Sequence, residues 1–127
     1  MLKRVVKSNN APAPVGPYSQ AVWSNNFLFC SGQIPLDAKT GQMVKGPIKE
    51  QTIKVMENIS EVLKAGNCTF ENVVKTTIFL KNMNDFSSVN EVYASYFKND
   101  PPARSTVQVS ELPKSADVEI EVIAIVG

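Results

Sequence analysis

Arg104 has the side chain of this sequence most suited to gripping a planar anion. It follows the helix-stopping pair Pro101-Pro102 and opens a strand-like run over residues 105–109. The only other arginine is Arg4. The guanidinium is a rigid fork of donors that matches a carboxylate. A surface salt bridge is the alternative, and the residues alone leave the two interpretations open.

Two further stretches could contribute polar groups. Tyr18 follows prolines 12, 14 and 17, which stiffen its approach and suit a hydroxyl held in a site. A tyrosine that packs its ring on the core is the commoner case. Gly32 ends an apolar run after Ser31, where a glycine admits close backbone approach or simply makes a turn.

The absence of histidine excludes several kinds of chemistry. Ser-His-Asp and Cys-His catalysis in their usual forms, and HExxH zinc sites, all require histidine, and this chain has none. Cys30 and Cys68 have no metal-ligand spacing, and Cys30 is expected to be a buried apolar residue. No dinucleotide or P-loop motif occurs. The sequence therefore predicts neither a metal nor a cofactor.

Length and charge describe an ordinary globular chain. Its 127 residues predict one domain, 1–127, and the net charge of +1 makes nucleic acid an unfavoured partner. No apolar run is long enough to cross a membrane, and the N-terminus lacks the apolar part of a secretory signal. We expect a cytoplasmic protein, with an organelle as the alternative.

Hydrophobic periodicity predicts the order of the elements. Strands are expected over residues 2–6, 21–24 and 27–31, then a helix from Pro47 to Gly66, a strand over 73–80, a second helix and two final strands. The second helix has an apolar face formed by Phe86, Val89, Tyr93, Tyr96 and Phe97. Its Asn90 lies near that face and could point inward, but an exposed asparagine is the commoner case and is expected here. This order favours an α+β fold with both helices on one face of a mixed sheet.

The last strand alternates between two kinds of side chain. Val118, Ile120, Val122 and Ala124 form the predicted core side, and Glu119, Glu121, Ile123 and Ile125 form the other. An apolar patch facing away from the helices predicts an oligomer interface, with charged groups at its border lining a cleft between subunits. If the last two strands paired as a hairpin, Glu119 would lie opposite Gln108, about 13 Å from Arg104.

Four stretches together resemble the RidA/YjgF family of reactive intermediate deaminases and run nearly from end to end. They are NNAPAPVGPYSQAV, FLFCSGQIPLDAKTGQMV, VVKTTIFLKNMNDFSSVNEVYASYF and PPARSTVQVSELPKSADVEIEVIA. The resemblance implies a chorismate-mutase-like α+β fold. It also implies a homotrimer whose sheets face inward and whose ligand sites lie in the clefts between subunits.

The resemblance implies an enzyme without a cofactor. Family members hydrolyse the enamines 2-aminoacrylate and 2-aminocrotonate and their imine tautomers, which pyridoxal-phosphate-dependent dehydratases release. The products are 2-keto acids and ammonia. The expected small-molecule partners are therefore 2-imino and 2-keto acids.

The resemblance also assigns roles to individual residues. Arg104 would bind the substrate carboxylate, Glu119 would activate water, and Tyr18 would hydrogen-bond the substrate or help to protonate it. The remaining expected substrate-binding residues are Ser31, Gly32, Asn90 and Thr106. Thr106 occupies a position that is often cysteine in the family, and its contact is expected to come largely from the backbone.

The sequence and the resemblance leave three alternatives to the deaminase. A non-catalytic sensor of 2-keto acids would need Arg104 but not Glu119. An RNA-cleaving translation inhibitor fits poorly with a chain that has no histidine and a near-neutral charge. Chorismate-mutase chemistry would need a second cation beside Arg104 for its dicarboxylate substrate.

Overall fold

Six strands form one mixed sheet in the computed structural model, which describes residues 2–126. The strands are β1 (Arg4–Val6), β2 (Ala21–Ser24), β3 (Phe27–Gln33), β4 (Val73–Leu80), β5 (Ala103–Gln108) and β6 (Val118–Ile125), and the helices are α1 (Ile48–Ala65) and α2 (Phe86–Ala94). Short 3₁₀ turns occur at Phe70–Asn72, Met83–Asp85 and Pro113–Ser115. The predicted α+β class is confirmed.

The order of strands across the sheet is β1-β2-β3-β6-β4-β5. β6 pairs antiparallel with both β3 and β4, and β4 pairs parallel with β5. The possibility that the last two strands form a hairpin is therefore wrong, because β4 lies between them. The apolar side of β6 explains its central place: Val118, Ile120 and Val122 are at most 1% exposed and are covered by the helices.

α1 packs an apolar stripe against the centre of the sheet. Its buried apolar residues are Val55, Met56, Ile59, Val62 and Leu63. The helix ends at Ala65, and the N–H of the following Gly66 donates to the carbonyl oxygens of the last turn. A Cβ at Gly66 would lie 2.6 Å from a methyl carbon of Leu28, so this glycine allows the end of the helix to approach β3 closely.

α2 is shorter than its sequence pattern predicts. It ends at Ala94, and the next N–H groups, of Tyr96 and Phe97, donate three residues back. The two rings then pack on Phe70, with centroid separations of 5.1 and 5.4 Å. The prediction that Tyr96 and Phe97 continue the apolar face of the helix is therefore wrong. The tighter turn after Ala94 directs their rings towards Phe70 instead.

The sheet face away from the helices carries exposed apolar side chains. Phe27 and Phe29 are 41% and 42% exposed, and their rings stack at 6.0 Å. They pair across the strands with Ile125 and Ile123. The alternation predicted for β6 is confirmed, so this open face is apolar at the end of β6 and acidic at Glu119 and Glu121. Of residues 2–126, no helix is long and apolar enough to cross a membrane.

Candidate active site

Arg104 lies at the edge of the sheet on the face that α2 covers. Its Nη1 donates to Oδ1 of Asn90 at 2.6 Å. The guanidinium carbon lies 5.0 Å from the ring centre of Tyr93 and 5.5 Å from that of Phe86. No carboxylate within residues 2–126 lies within ion-pair distance of Arg104. The salt-bridge interpretation therefore has no partner in this part of the chain.

Asn90 is half-buried and bonded to Arg104, so the expectation that it is exposed is wrong. The reason is helical spacing. Phe86, Asn90 and Tyr93 lie four and then three residues apart on α2, which places them on one face. That face lies over β5 rather than in solvent.

Thr106 lies two residues after Arg104 on the same side of β5. Its hydroxyl oxygen is buried and has no hydrogen-bond partner among residues 2–126. Buried hydroxyls are nearly always bonded, so an unpartnered one beside Arg104 is a candidate ligand contact.

Glu119 lies on the opposite, open face and contacts Gly32. The pairing of β3 with β6 shifts register between Cys30 and Gln33, and Gly32 falls within this bulge. A Cβ at Gly32 would lie 2.7 Å from Oε2 of Glu119. The glycine therefore gives the carboxylate its space, and it lies inside β3 rather than beyond the end of the strand.

The environment of Glu119 favours its neutral form. Burial raises the pKa of its carboxyl group, and the neighbouring charge of Glu121 raises it further. Such a carboxylate is a stronger base once ionised than an exposed one, which suits proton abstraction from water.

Tyr18 and Glu119 line one cavity of about 70 Å³ together with Gly32. The Tyr18 side chain is half-exposed, and its hydroxyl oxygen accepts a hydrogen bond from the N–H of Val15 at 3.3 Å. Lys114 also lines the cavity and has a left-handed backbone, with φ of 55°. Such strain in a non-glycine residue is often found at functional sites.

Ser31 anchors the loop that carries Tyr18. Its Oγ donates to the carbonyl oxygen of Ser19 at 2.6 Å, and its N–H donates to that of Gln20 at 2.9 Å. The hydroxyl proton of Ser31 is therefore used within the protein.

Sequence reasoning missed the role of Gln20. This side chain is 3% exposed, and it accepts from the N–H of Ser8 at 2.7 Å. Its amide donates to the carbonyl oxygens of Ser8, Ala11 and Pro12. Gln20 thus fixes the proline-rich loop before Tyr18. The only signal in the sequence was an uncharged amide directly before an apolar strand.

The predicted residues fall into two groups in one chain. Arg104, Asn90 and Thr106 lie at β5, whereas Tyr18, Ser31, Gly32 and Glu119 lie around the bulge of β3. Arg104 pairs with Thr76 of β4, and Glu119 pairs with Phe79. Three residues along the strand and two strand spacings separate them, about 10 Å in each direction, and they point to opposite faces.

Residues 2–126 contain no group of three or more His, Cys, Asp or Glu side chains that could hold a metal ion. Burial raises the pKa of the Cys30 thiol to about 12, and nearby Cys68 adds to the effect. Cys30 is half-buried rather than buried, so that part of its prediction is wrong, and its thiol is neutral at physiological pH.

The fold and the two polar groups define a class. It is a small α+β protein with a half-buried arginine that has no carboxylate partner among residues 2–126, and with a carboxyl group on the opposite face of the sheet. Residues 8–126 match the model of a family described as endoribonuclease L-PSP. A RutC family protein of Pyrococcus horikoshii is 54% identical over 123 residues, covering 97% of this chain and 98% of its own. A human protein named 2-iminobutanoate/2-iminopropanoate deaminase is 46% identical, covering 100% of this chain and 93% of its own.

A crystal structure agrees with these relatives. A protein of the Rid family from Yersinia pestis, described as of unknown function, superposes with a TM-score of 0.95 at 53% identity, covering 98% of this chain and 99% of that one. The chain belongs to this family, the RidA/YjgF proteins.

Proposed function

We propose that the protein is an imine deaminase. It would hydrolyse 2-aminoacrylate, 2-aminocrotonate and their imine tautomers to 2-keto acids and ammonia. The observation that carries the proposal is Arg104, a half-buried arginine whose only hydrogen-bond partner among residues 2–126 is the neutral Asn90. A half-buried guanidinium without a carboxylate partner suits a substrate carboxylate. The name of the human relative supports the reaction.

The proposed reaction consumes one water molecule. Arg104 binds the substrate carboxylate with parallel N–H donors, and backbone amides near Gly32 and Thr106 add to this contact. Glu119 takes a proton from a water molecule while the oxygen of that water bonds to the iminium carbon. The Glu119 carboxyl group then returns this proton to the amine of the tetrahedral intermediate. The carbon–nitrogen bond breaks, and the hydroxyl group becomes the keto group as its proton leaves with ammonia as ammonium. When the substrate arrives as the enamine, Tyr18 helps to protonate its carbon.

The distance between Arg104 and Glu119 leads to a proposal about assembly. One substrate cannot contact both residues within one chain, because they lie on opposite faces of the sheet. We propose a homotrimer with inward-facing sheets, in which Arg104 of one copy approaches Glu119 of another. The exposed apolar side chains of the open face supply the surface that such an assembly would bury.

The test couples the protein to a serine dehydratase. The dehydratase generates 2-aminoacrylate, semicarbazide traps free imine, and pyruvate formation is followed. Wild-type protein should accelerate pyruvate release. Arg104→Ala should lower kcat/KM by on the order of 10²-fold, since it removes charged hydrogen bonds to the substrate.

Arg4→Ala is the matched control, because Arg4 is the other arginine and is exposed in β1. Its activity should equal that of the wild type. Absence of acceleration by the wild type would contradict the deaminase proposal. Binding of 2-oxobutanoate without acceleration would instead support the sensor alternative, and an active Arg104→Ala variant would contradict the site.

A further inference from the structure

Two aromatic rings hold the guanidinium of Arg104. The ring centres of Tyr93 and Phe86 lie 5.0 and 5.5 Å from its central carbon, a separation at which cation–π attraction operates. Both rings come from the face of α2 that also provides Asn90. The hydrogen bond to Asn90 and both aromatic contacts of the guanidinium therefore come from one face of α2.

The Tyr93 ring is itself fixed in place. It is 5% exposed, and its hydroxyl shares a 2.7 Å hydrogen bond with the hydroxyl of Thr76, which is completely buried in β4. Burial raises the pKa of Tyr93, so the hydroxyl stays neutral. Phe86, by contrast, is 37% exposed and is the ring of the two that faces solvent.

This arrangement limits what the guanidinium can do. An arginine side chain carries five N–H donors in one plane. One of them is bonded to Asn90, and the aromatic contacts restrict rotation of that plane. An exposed arginine must lose this freedom when it binds a carboxylate, whereas a held one has lost it already.

We propose that Phe86 and Tyr93 are positioning residues whose rings orient Arg104 for a substrate carboxylate. This inference rests on the proposed function for its substrate. The competing interpretation is that both rings only complete the core beneath α2. The two interpretations differ in one respect: only the first requires that substitution of a ring change ligand binding through Arg104.

The first measurement requires no ligand. Because the chain has only two arginines, ¹⁵N-arginine labelling gives two side-chain Nε–Hε signals, and Arg4 is an internal reference. Arg104 should show a more ordered Nε–Hε bond than Arg4. Phe86→Leu should lower the order of Arg104 and leave Arg4 unchanged. Equal order of Arg104 in the wild type and Phe86→Leu would overturn the inference.

The second measurement is binding of 2-oxobutanoate by calorimetry, together with KM and kcat in the coupled assay. Phe86→Leu should raise the Kd and KM about five- to twentyfold, the effect expected for a partly desolvated cation–π contact. The change in kcat should be smaller. Tyr93→Phe, which keeps the ring, should bind within threefold of the wild type.

A double-mutant cycle separates positioning from packing. In the Arg104→Ala background, Phe86→Leu should produce no further rise in Kd, because the residue through which it acts is gone. An equal rise in both backgrounds, or a rise below twofold in the wild type, would contradict the inference. Ile53→Ala, at an exposed position of α1, should leave the Kd unchanged.

The two proposals can fail separately. Suppose that the wild-type protein does not accelerate pyruvate release, but that Arg104 loses order in Phe86→Leu. The deaminase proposal is then contradicted, and the positioning role of the rings is supported. An active enzyme in which Phe86→Leu affects neither order nor Kd would do the reverse.

Discussion

The carboxyl group of Glu119 links stability to proposed catalysis at the scale of one residue. Its pKa is raised by burial first and by Glu121 second. A carboxyl group whose pKa is higher in the folded than in the unfolded protein stabilises the fold at low pH. This contribution is complete below the unfolded value, about 4.3, and is lost as pH rises through the folded value.

Glu119→Gln should therefore stabilise the protein at pH 7 and make little difference below pH 4. The reason is that the amide cannot acquire the charge that burial disfavours. Urea unfolding at both pH values measures the effect. Glu111→Gln, at an exposed position, is the control. A Glu119→Gln variant that is less stable than the wild type at pH 7 would show that the charged carboxylate has a favourable partner.

The same substitution should abolish most of the pyruvate-forming activity while retaining 2-oxobutanoate binding through Arg104. In the wild type, activity should rise with pH through the Glu119 pKa, because only the carboxylate accepts a proton. If Glu119→Gln is more stable than the wild type but inactive, then the ionised carboxylate that the reaction requires is also the form that lowers the free energy of unfolding.

The position of Asn90 was predictable from the sequence only in part. Its spacing from Phe86 and Tyr93 places the three on one helix face, and this was available in the sequence. That the face covers Arg104 was not, because it depends on which strand α2 lies over. Periodicity specifies which residues share a face but does not identify the partner of that face.

At the scale of elements, the loop before Tyr18 depends on one buried side chain. Gln20 bonds to backbone groups of Ser8, Ala11 and Pro12, none of which is in a strand or helix. Gln20→Ala would leave these groups unsatisfied or force water into their place. We expect a loss of about 2–3 kcal/mol in the free energy of unfolding.

Urea unfolding and limited proteolysis of the 8–18 segment test this expectation. Gln42→Ala, at an exposed position, should change stability by less than about 0.5 kcal/mol. If Gln20→Ala unfolds at the same urea concentration as the wild type, the loop is held by other contacts, and Gln20 does not position Tyr18.

The strands themselves were predicted from the sequence, but the neighbour considered for the last strand was wrong. Alternation located β6 and assigned its two faces correctly, since Val118 and Ile120 are buried and Glu119 is on the open side. The hairpin possibility relied on sequence proximity alone. A strand, helix and strand in succession, as in β4-α2-β5, instead favour parallel pairing, because a parallel connection needs a crossover. The sequence contained that signal.

The bulge at Gly32 was beyond prediction for a different reason. A glycine after Ser31 is compatible with a turn, a strand end or a bulge. The choice depends on the register between β3 and β6, and side-chain packing across those two distant segments sets that register. Only the assembled sheet shows that Gly32 makes room for the Glu119 carboxylate.

For the whole molecule, the central question is whether one chain or two form each site. The sheet separates Arg104 from Glu119, and its open face exposes Phe27, Phe29 and Val107. In a closed ring of identical subunits, each contact joins different surfaces of neighbouring copies. Such a contact could bring the Arg104 group of one copy to the Glu119 group of the next.

Mixed assemblies of two inactive variants test this arrangement directly. Arg104→Ala retains Glu119, and Glu119→Gln retains Arg104, so a site shared between copies is intact wherever the right variants adjoin. In any trimer that contains both variants, one of the three shared sites combines the two intact residues, so such mixed trimers should have about a third of wild-type activity. A site within one chain would gain nothing, because every chain lacks one residue.

The experiment needs assemblies that have truly mixed. The two variants are co-expressed with different affinity tags, and tandem purification retains only assemblies that contain both. Separately purified variants, combined without exchange, are the control and should remain inactive. Recovery in the co-purified sample alone would place Arg104 and Glu119 of one site on different copies. A co-purified sample as inactive as the control would contradict the shared site and require a rearrangement within one chain that brings the two sheet faces to one substrate.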